Sequence, residues 1–69
     1  RITFANENVP RVLGSVLSVL ADHDINVIDM VNKSRKDMAY NIIDVGTEPS
    51  DEIMAAIAAV EGVKQVRLL

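Results

Sequence analysis

The chain has 69 residues, ten acidic against seven basic, a net charge of −3, one histidine and no cysteine. This is a single domain, too acidic and too poor in aromatic residues (one Phe, one Tyr) for a phosphate backbone or a base-stacking platform. Disulfides and thiolate metal sites are excluded, His23 alone makes no zinc constellation, and no apolar run approaches the ~20 residues of a membrane span.

Arg1 to Asn6 alternates, with Ile2 and Phe4 on one side, which predicts a half-buried strand. Asn6-Glu7-Asn8-Val9-Pro10-Arg11-Val12-Leu13 then turns strand into helix. Proline at the first helical position gives up only an N–H that would be unpaired anyway, and asparagines just before it are natural caps. The free N–H groups of such a helix start suit the carboxylate of a small anionic or zwitterionic ligand. Spacing alone favours the plainer reading, in which Asn6 and Asn8 only cap the helix, because capping loops are far commoner than ligand loops.

From Pro10 to about His23, the residues Leu13, Val16, Leu17 and Leu20 share one helical face, with Val12 and Val19 widening it. Arg11, Ser15, Ser18 and Asp22 form the wet face. Gly14 costs roughly 1 kcal/mol against Ala in a helix interior, which close packing of the first turn, on a strand or a neighbouring subunit, would explain. His23 sits in the last turn, where the helix dipole favours positive charge. After Asp24-Ile25-Asn26, the stretch Val27–Ser34 reads as a strand with apolar residues on both sides. Lys33 to Asp37 is a polar turn, read as a solvated hairpin tip.

Met38–Val45 is the next strand, with Ala39, Asn41, Ile43 and Val45 on one face and Tyr40, Ile42 and Asp44 on the other. Asn41 among apolar neighbours needs a hydrogen-bond partner if it is buried. Gly46 to Pro49 breaks the strand, and Ser50 caps a second helix with Asp51 and Glu52 in its first turn. Ile53, Ile57 and Val60 form its buried stripe, with Ala56 between them. Gly62 fits the left-handed C′ position. Val63–Leu69 is the last strand, with Val66 and Leu68 as its core residues.

The order is that of a ferredoxin-like βαββαβ fold, an α+β two-layer sandwich with a four-stranded antiparallel sheet and both helices on one face. The first and third strands are then central. An apolar second strand at an edge is a liability unless something pairs with it, so Val27–Ser34 is expected to meet a copy of itself across a two-fold axis. A homodimer would also supply core to a chain that buries only about 60% of its unfolded surface.

No catalytic constellation can be assembled. There is no glycine-rich phosphate loop, Ser15 and Ser18 have no base in reach by spacing, and Glu7 and Asp29 form no dyad. One enzymatic reading survives: Arg11 and Asn41 holding an acyl phosphate and a water, as acylphosphatases use an Arg and an Asn on this fold. Their glycine-rich anion loop is missing here. The chain opens on Arg1 with a strand under way, so residues 1–69 are read as one domain of a longer polypeptide. The absence of cysteine fits a reducing, cytoplasmic setting.

Residues 6–13 resemble the strand-to-helix loop of ACT domains, small regulatory modules of amino-acid enzymes. Leu20-Ala21-Asp22-His23-Asp24-Ile25-Asn26-Val27 is similar to the family's next signature. Asn32-Lys33-Ser34-Arg35 followed by Ala39-Tyr40-Asn41-Ile42-Ile43-Asp44 resembles the C-terminal ACT domain of the D-3-phosphoglycerate dehydrogenases. The resemblance implies a sensor of L-serine in feedback control of serine biosynthesis, with the ligand at the interface of two ACT domains. The domain would be no enzyme by itself and need no cofactor, NAD belonging to the parent's catalytic domain. By position, Asn8 matches the loop asparagine that holds the ligand, and Asn26 the one supplied by the neighbouring subunit. Asn6 stands where bacterial enzymes of this kind carry histidine. Arg11 stands where the motif has glycine, and would either narrow the mouth or pair with the ligand carboxylate. The implied ligand set is Asn6, Asn8, Pro10, Arg11 and Asn26. The alternative is a dimerisation module without ligand, which Arg11 favours.

Overall fold

The alternation at Ile2 and Phe4 is realised in strand β1 (Ile2–Glu7), which leads into helix α1 (Pro10–Asp22). Strands β2 (Val27–Arg35) and β3 (Met38–Val45) form a hairpin, followed by helix α2 (Asp51–Ala58) and strand β4 (Val63–Leu68). The computed structural model describes residues 1–69. The sheet order is β2-β3-β1-β4, all neighbours antiparallel, so the fold is the expected ferredoxin-like βαββαβ. No helix is long and apolar enough to cross a membrane.

The core lies between helices and sheet, built from Ile2 and Phe4 of β1, Val16 and Leu20 of α1, Ile43 of β3, and Ile53 and Ile57 of α2. The stripe of α1 is centred one position earlier than its spacing predicts. Val12, Val16 and Leu20 are buried, while Leu13 and Leu17 are half-buried flanks. Ile53 and Ile57 are buried on α2 as expected, with Val60 half-buried. Leu68 is 38% exposed and not core, because it ends an edge strand; Val66 is half-buried against the core.

Both helix ends depart from expectation in instructive ways. Helix α1 closes with Ile25 N–H donating to Leu20 O (2.9 Å) and Asp24 N–H to Ala21 O (3.0 Å), with Asp24 at φ 58. These are the paired bonds of a left-handed C-terminal motif, formed here around an aspartate. Gly62 does have positive φ (93), but it lies in the turn into β4, beyond the C-cap Ala59. A Cβ there would come within 3.0 Å of a Val12 methyl. The expected close packing at Gly14 is absent within the chain, since a Cβ added there meets nothing within 4 Å.

The hairpin turn is tighter than the polar run Lys33 to Asp37 suggests. Pairing continues to Arg35↔Met38, leaving only Lys36 and Asp37 in the turn, with Lys36 at φ 57. Every residue of β2 after Val27 is exposed, on both sides of the strand. Both helices lie over the other strands, so β2 projects as an uncovered margin.

Candidate functional site

The site grows from the polar side chains that β1, β2 and β3 place on the helix side of the sheet. Register pairs Phe4 with Asn41 and Asn41 with Asn32, and alternation puts Asn6 on the same side as Phe4. Asn41 and Asn6 are buried (2% and 3% exposed), deep enough that each polar atom needs a partner. They find it in one another. Asn32 Nδ2 donates to Asn41 Oδ1 and Asn41 Nδ2 donates to Asn6 Oδ1, both at 2.5 Å. Asn6 Nδ2 donates to the backbone oxygen of Glu7 at 2.7 Å. A row of three amides thus crosses the sheet from its open edge to the β1–α1 loop.

Asn8 does different work. Its N–H donates to Asp37 O (2.8 Å) and its Nδ2 to Lys36 O (3.2 Å). The Ser34 hydroxyl reaches Asn8 Oδ1 only at 3.5 Å, the limit of a hydrogen bond. The loop before α1 is therefore tied to the tip of the β2–β3 hairpin. Neither asparagine caps the helix: the N-cap residue is Val9, which makes no side-chain cap bond. The expected capping is absent because Asn6 is spent on the amide row and Asn8 on the hairpin. Pro10 follows at the first helical position, as predicted. The start of α1 keeps N–H groups without a side-chain partner, beside Asn8.

The remaining members of the implied ligand set lie elsewhere in the chain. Arg11 is exposed on the opposite flank of α1, in a shallow groove with Glu7, Ser15, Val60 and Glu61. Two carboxylates near it supply local counter-charge. Asn26 is exposed at the far end of β2, where its carbonyl accepts from Gly46 N–H (2.9 Å). Ser34 is eight positions on from Asn26, an extended span of about 26 Å. Asn26 and Asn8 of one chain therefore cannot hold the same small molecule. The acyl-phosphate arrangement fails on geometry as well: Asn41 is buried with both ends of its amide engaged, while Arg11 is on the outer side of α1.

The strongest electrostatic feature is remote from these groups. Asp29 and Asp44 face each other in register, an arrangement of like charges that costs stability. Arg1 offsets it with a two-pronged contact to Asp44, Nε to Oδ1 at 2.8 Å and a second nitrogen to Oδ2 at 3.3 Å. That hydrogen bond holds the Asp44 carboxyl below its ordinary range and raises the Arg1 guanidinium.

The sequence matches the ACT domain family over residues 1–62. The chain belongs to the ACT domain family. ACT domains are typically regulatory, non-catalytic modules that generally bind small amino-acid ligands and dimerise. Among solved structures, the chain is similar to the ACT domain from GTP pyrophosphokinase of Chlorobium tepidum. That pair has a TM-score of 0.78 at 17% identity, covering 96% of this chain and 90% of the other. It is also similar to a Bacteroides thetaiotaomicron protein, with a TM-score of 0.70 at 17% identity, over 91% of this chain and 43% of that one. At such identity the likeness is one of fold. No curated protein sequence matches the chain. The sequence marks Asn41 as needing a partner, but gives no such signal for Asn32, which reads as part of the strand Val27–Ser34, or for Ser34, at the start of the polar turn.

Proposed function

We propose that this ACT domain senses a free amino acid, with L-serine the first candidate, at a junction between two copies joined along β2. The observation that carries the reading is the Asn8 loop, docked on the hairpin tip next to an uncovered apolar strand margin. Val31 is the midpoint of β2. Antiparallel pairing of two β2 strands about it sets Asn26 of one protomer opposite Lys36 of the partner subunit. Lys36 is the residue whose carbonyl holds Asn8. Asn26, about 26 Å along β2 from Ser34 within its own chain, then lies on a strand adjoining the partner's hairpin tip, at a strand spacing of about 4.8 Å.

In this arrangement the start of α1 and the Asn8 amide face the ligand carboxylate, and Asn26 of the other chain closes the crevice. Asn6 stands behind them, buried, and fixes the loop through the Glu7 carbonyl. Pro10 sets the entry angle of the helix. Arg11, on the outer flank beside Glu7 and Glu61, lies away from the crevice and leaves its mouth open. A ligand that binds the closed junction better than the open one shifts the pair toward closure. Coupling of about 1–3 kcal/mol is the usual scale of such control. Within a longer polypeptide, a D-3-phosphoglycerate dehydrogenase using NAD in its catalytic part is the parent that the residue resemblance favours. Feedback control of serine biosynthesis is the corresponding role, in the cytoplasm.

Calorimetry with L-serine tests the reading directly. Wild type should take up one ligand per crevice, and Asn8→Ala and Asn26→Ala should each weaken binding about tenfold or more. Full binding by both variants would place the ligand elsewhere. A dimer indifferent to L-serine and to other amino acids would leave dimerisation alone as the domain's role.

A further inference from the structure

The row of amides has a direction, and the backbone sets it. A carbonyl oxygen only accepts, so the Asn6 amide must turn its nitrogen toward Glu7 O. Its oxygen is then fixed toward Asn41, which must donate; the oxygen of Asn41 is in turn fixed toward Asn32, which must donate too. None of the three amides can flip without setting two like atoms against each other. The last oxygen of the row, Asn32 Oδ1, accepts no bond within the chain. Asn32 lies on the helix side of the sheet in the exposed edge strand β2, two residues from Ser34, a separation of about 6.6 Å. Each donated bond polarises the next amide, which makes the terminal oxygen of such a chain a stronger acceptor than an isolated amide.

We infer that Asn32 Oδ1 is the acceptor for the ligand ammonium, held in that orientation by Asn41 and Asn6. The inference rests on the amino-acid reading above and adds a specificity residue to it. The spacing is right for the ligand class. An α-amino acid reaches from Asn32 to the Asn8–Ser34 corner, where the long contact between the Ser34 hydroxyl and Asn8 Oδ1 is easily exchanged for a ligand atom. The same geometry disfavours a simple hydroxy acid, which offers no cationic donor at that point. Asn41 and Asn6 are positioning residues here and touch no ligand.

The test compares L-serine with 3-hydroxypropionate, the same skeleton without the ammonium, by calorimetry on wild type and Asn32→Val. Valine at 32 takes the donor away from Asn41 Oδ1 and so costs some stability; circular dichroism and sedimentation therefore first establish that the variant is folded and paired at the assay temperature. Wild type should prefer L-serine at least tenfold, and Asn32→Val should bring the two ligands within about twofold. Wild type that binds L-serine while Asn32→Val keeps the full preference overturns the inference and leaves the sensor reading standing. Equal binding of both ligands by wild type overturns it as well. A wild-type dimer that binds neither ligand removes the sensor reading and this inference together.

Discussion

Asn41 is the residue on which the interior chemistry turns. Its amide accepts from one asparagine and donates to another at 2% exposure. Truncating one partner of a buried bond costs more than replacing both, because the survivor keeps its desolvation penalty. Asn41→Leu should therefore lower stability by about 1–3 kcal/mol, read from urea unfolding. Asn6→Leu combined with Asn41→Leu should cost clearly less than the two single changes added together. Additive losses would mean that the two side chains do not share a bond. The Asp44 carboxylate makes the second residue-scale prediction. Its folded value is lowered by the Arg1 hydrogen bond, so the folded state binds fewer protons than the unfolded one. The contribution is present above the ordinary aspartate range and lost as pH falls through the depressed folded value. Asp44→Asn should be less stable than wild type near neutral pH, and the two urea midpoints should converge in acid. The gap should shrink in salt, since the pair is exposed.

At the scale of elements, the sequence carried most of the architecture. Strand alternation, the Pro10 start and the Ser50 cap each have a local cause that leaves a local mark, and Ser50 Oγ does accept from Ile53 N–H at 3.3 Å. What was not legible is where local rules are broken or where tertiary contacts decide. Asp24 and Lys36 hold left-handed backbone without glycine, so neither the motif closing α1 nor the two-residue hairpin turn carries its usual signature. Asn6 and Asn8 look like caps until β3 and the hairpin are in place to engage them. The row of amides needs three strands in register, which no single stretch can announce. Asp24→Gly relieves a left-handed backbone that costs an L-residue roughly 1–2 kcal/mol, and should raise the urea midpoint. Gly14→Ala adds a methyl to open space on an exposed helix face, and should stabilise the chain by about 1 kcal/mol. If Gly14→Ala instead weakens self-association, the first turn of α1 meets the partner subunit.

The whole molecule is short of interior. Only 13 of 69 residues are buried, while Ile28, Met30, Val31, Tyr40 and Ile42 are between 37% and 66% exposed. Most of this surplus lies on β2 or beside it, where an unpaired strand edge also leaves backbone donors and acceptors to water. A second copy satisfies both needs at once, and the chain's stability should then depend on its own concentration. Val31 is where this can be tested without disturbing the fold, because it is 43% exposed in the single chain. At the midpoint of β2 it pairs with its own copy across the two-fold axis, so one substitution places two like charges face to face, with side chains about 5 Å apart. Val31→Asp should leave the circular dichroism spectrum of the wild type unchanged, dissociate the pair in sedimentation, and make the melting temperature independent of concentration. It should also abolish the response to L-serine, since the crevice is built from both chains. A Val31→Asp variant that remains a dimer would move the junction away from β2, and one that turns monomeric yet still binds L-serine would place the whole site within a single chain.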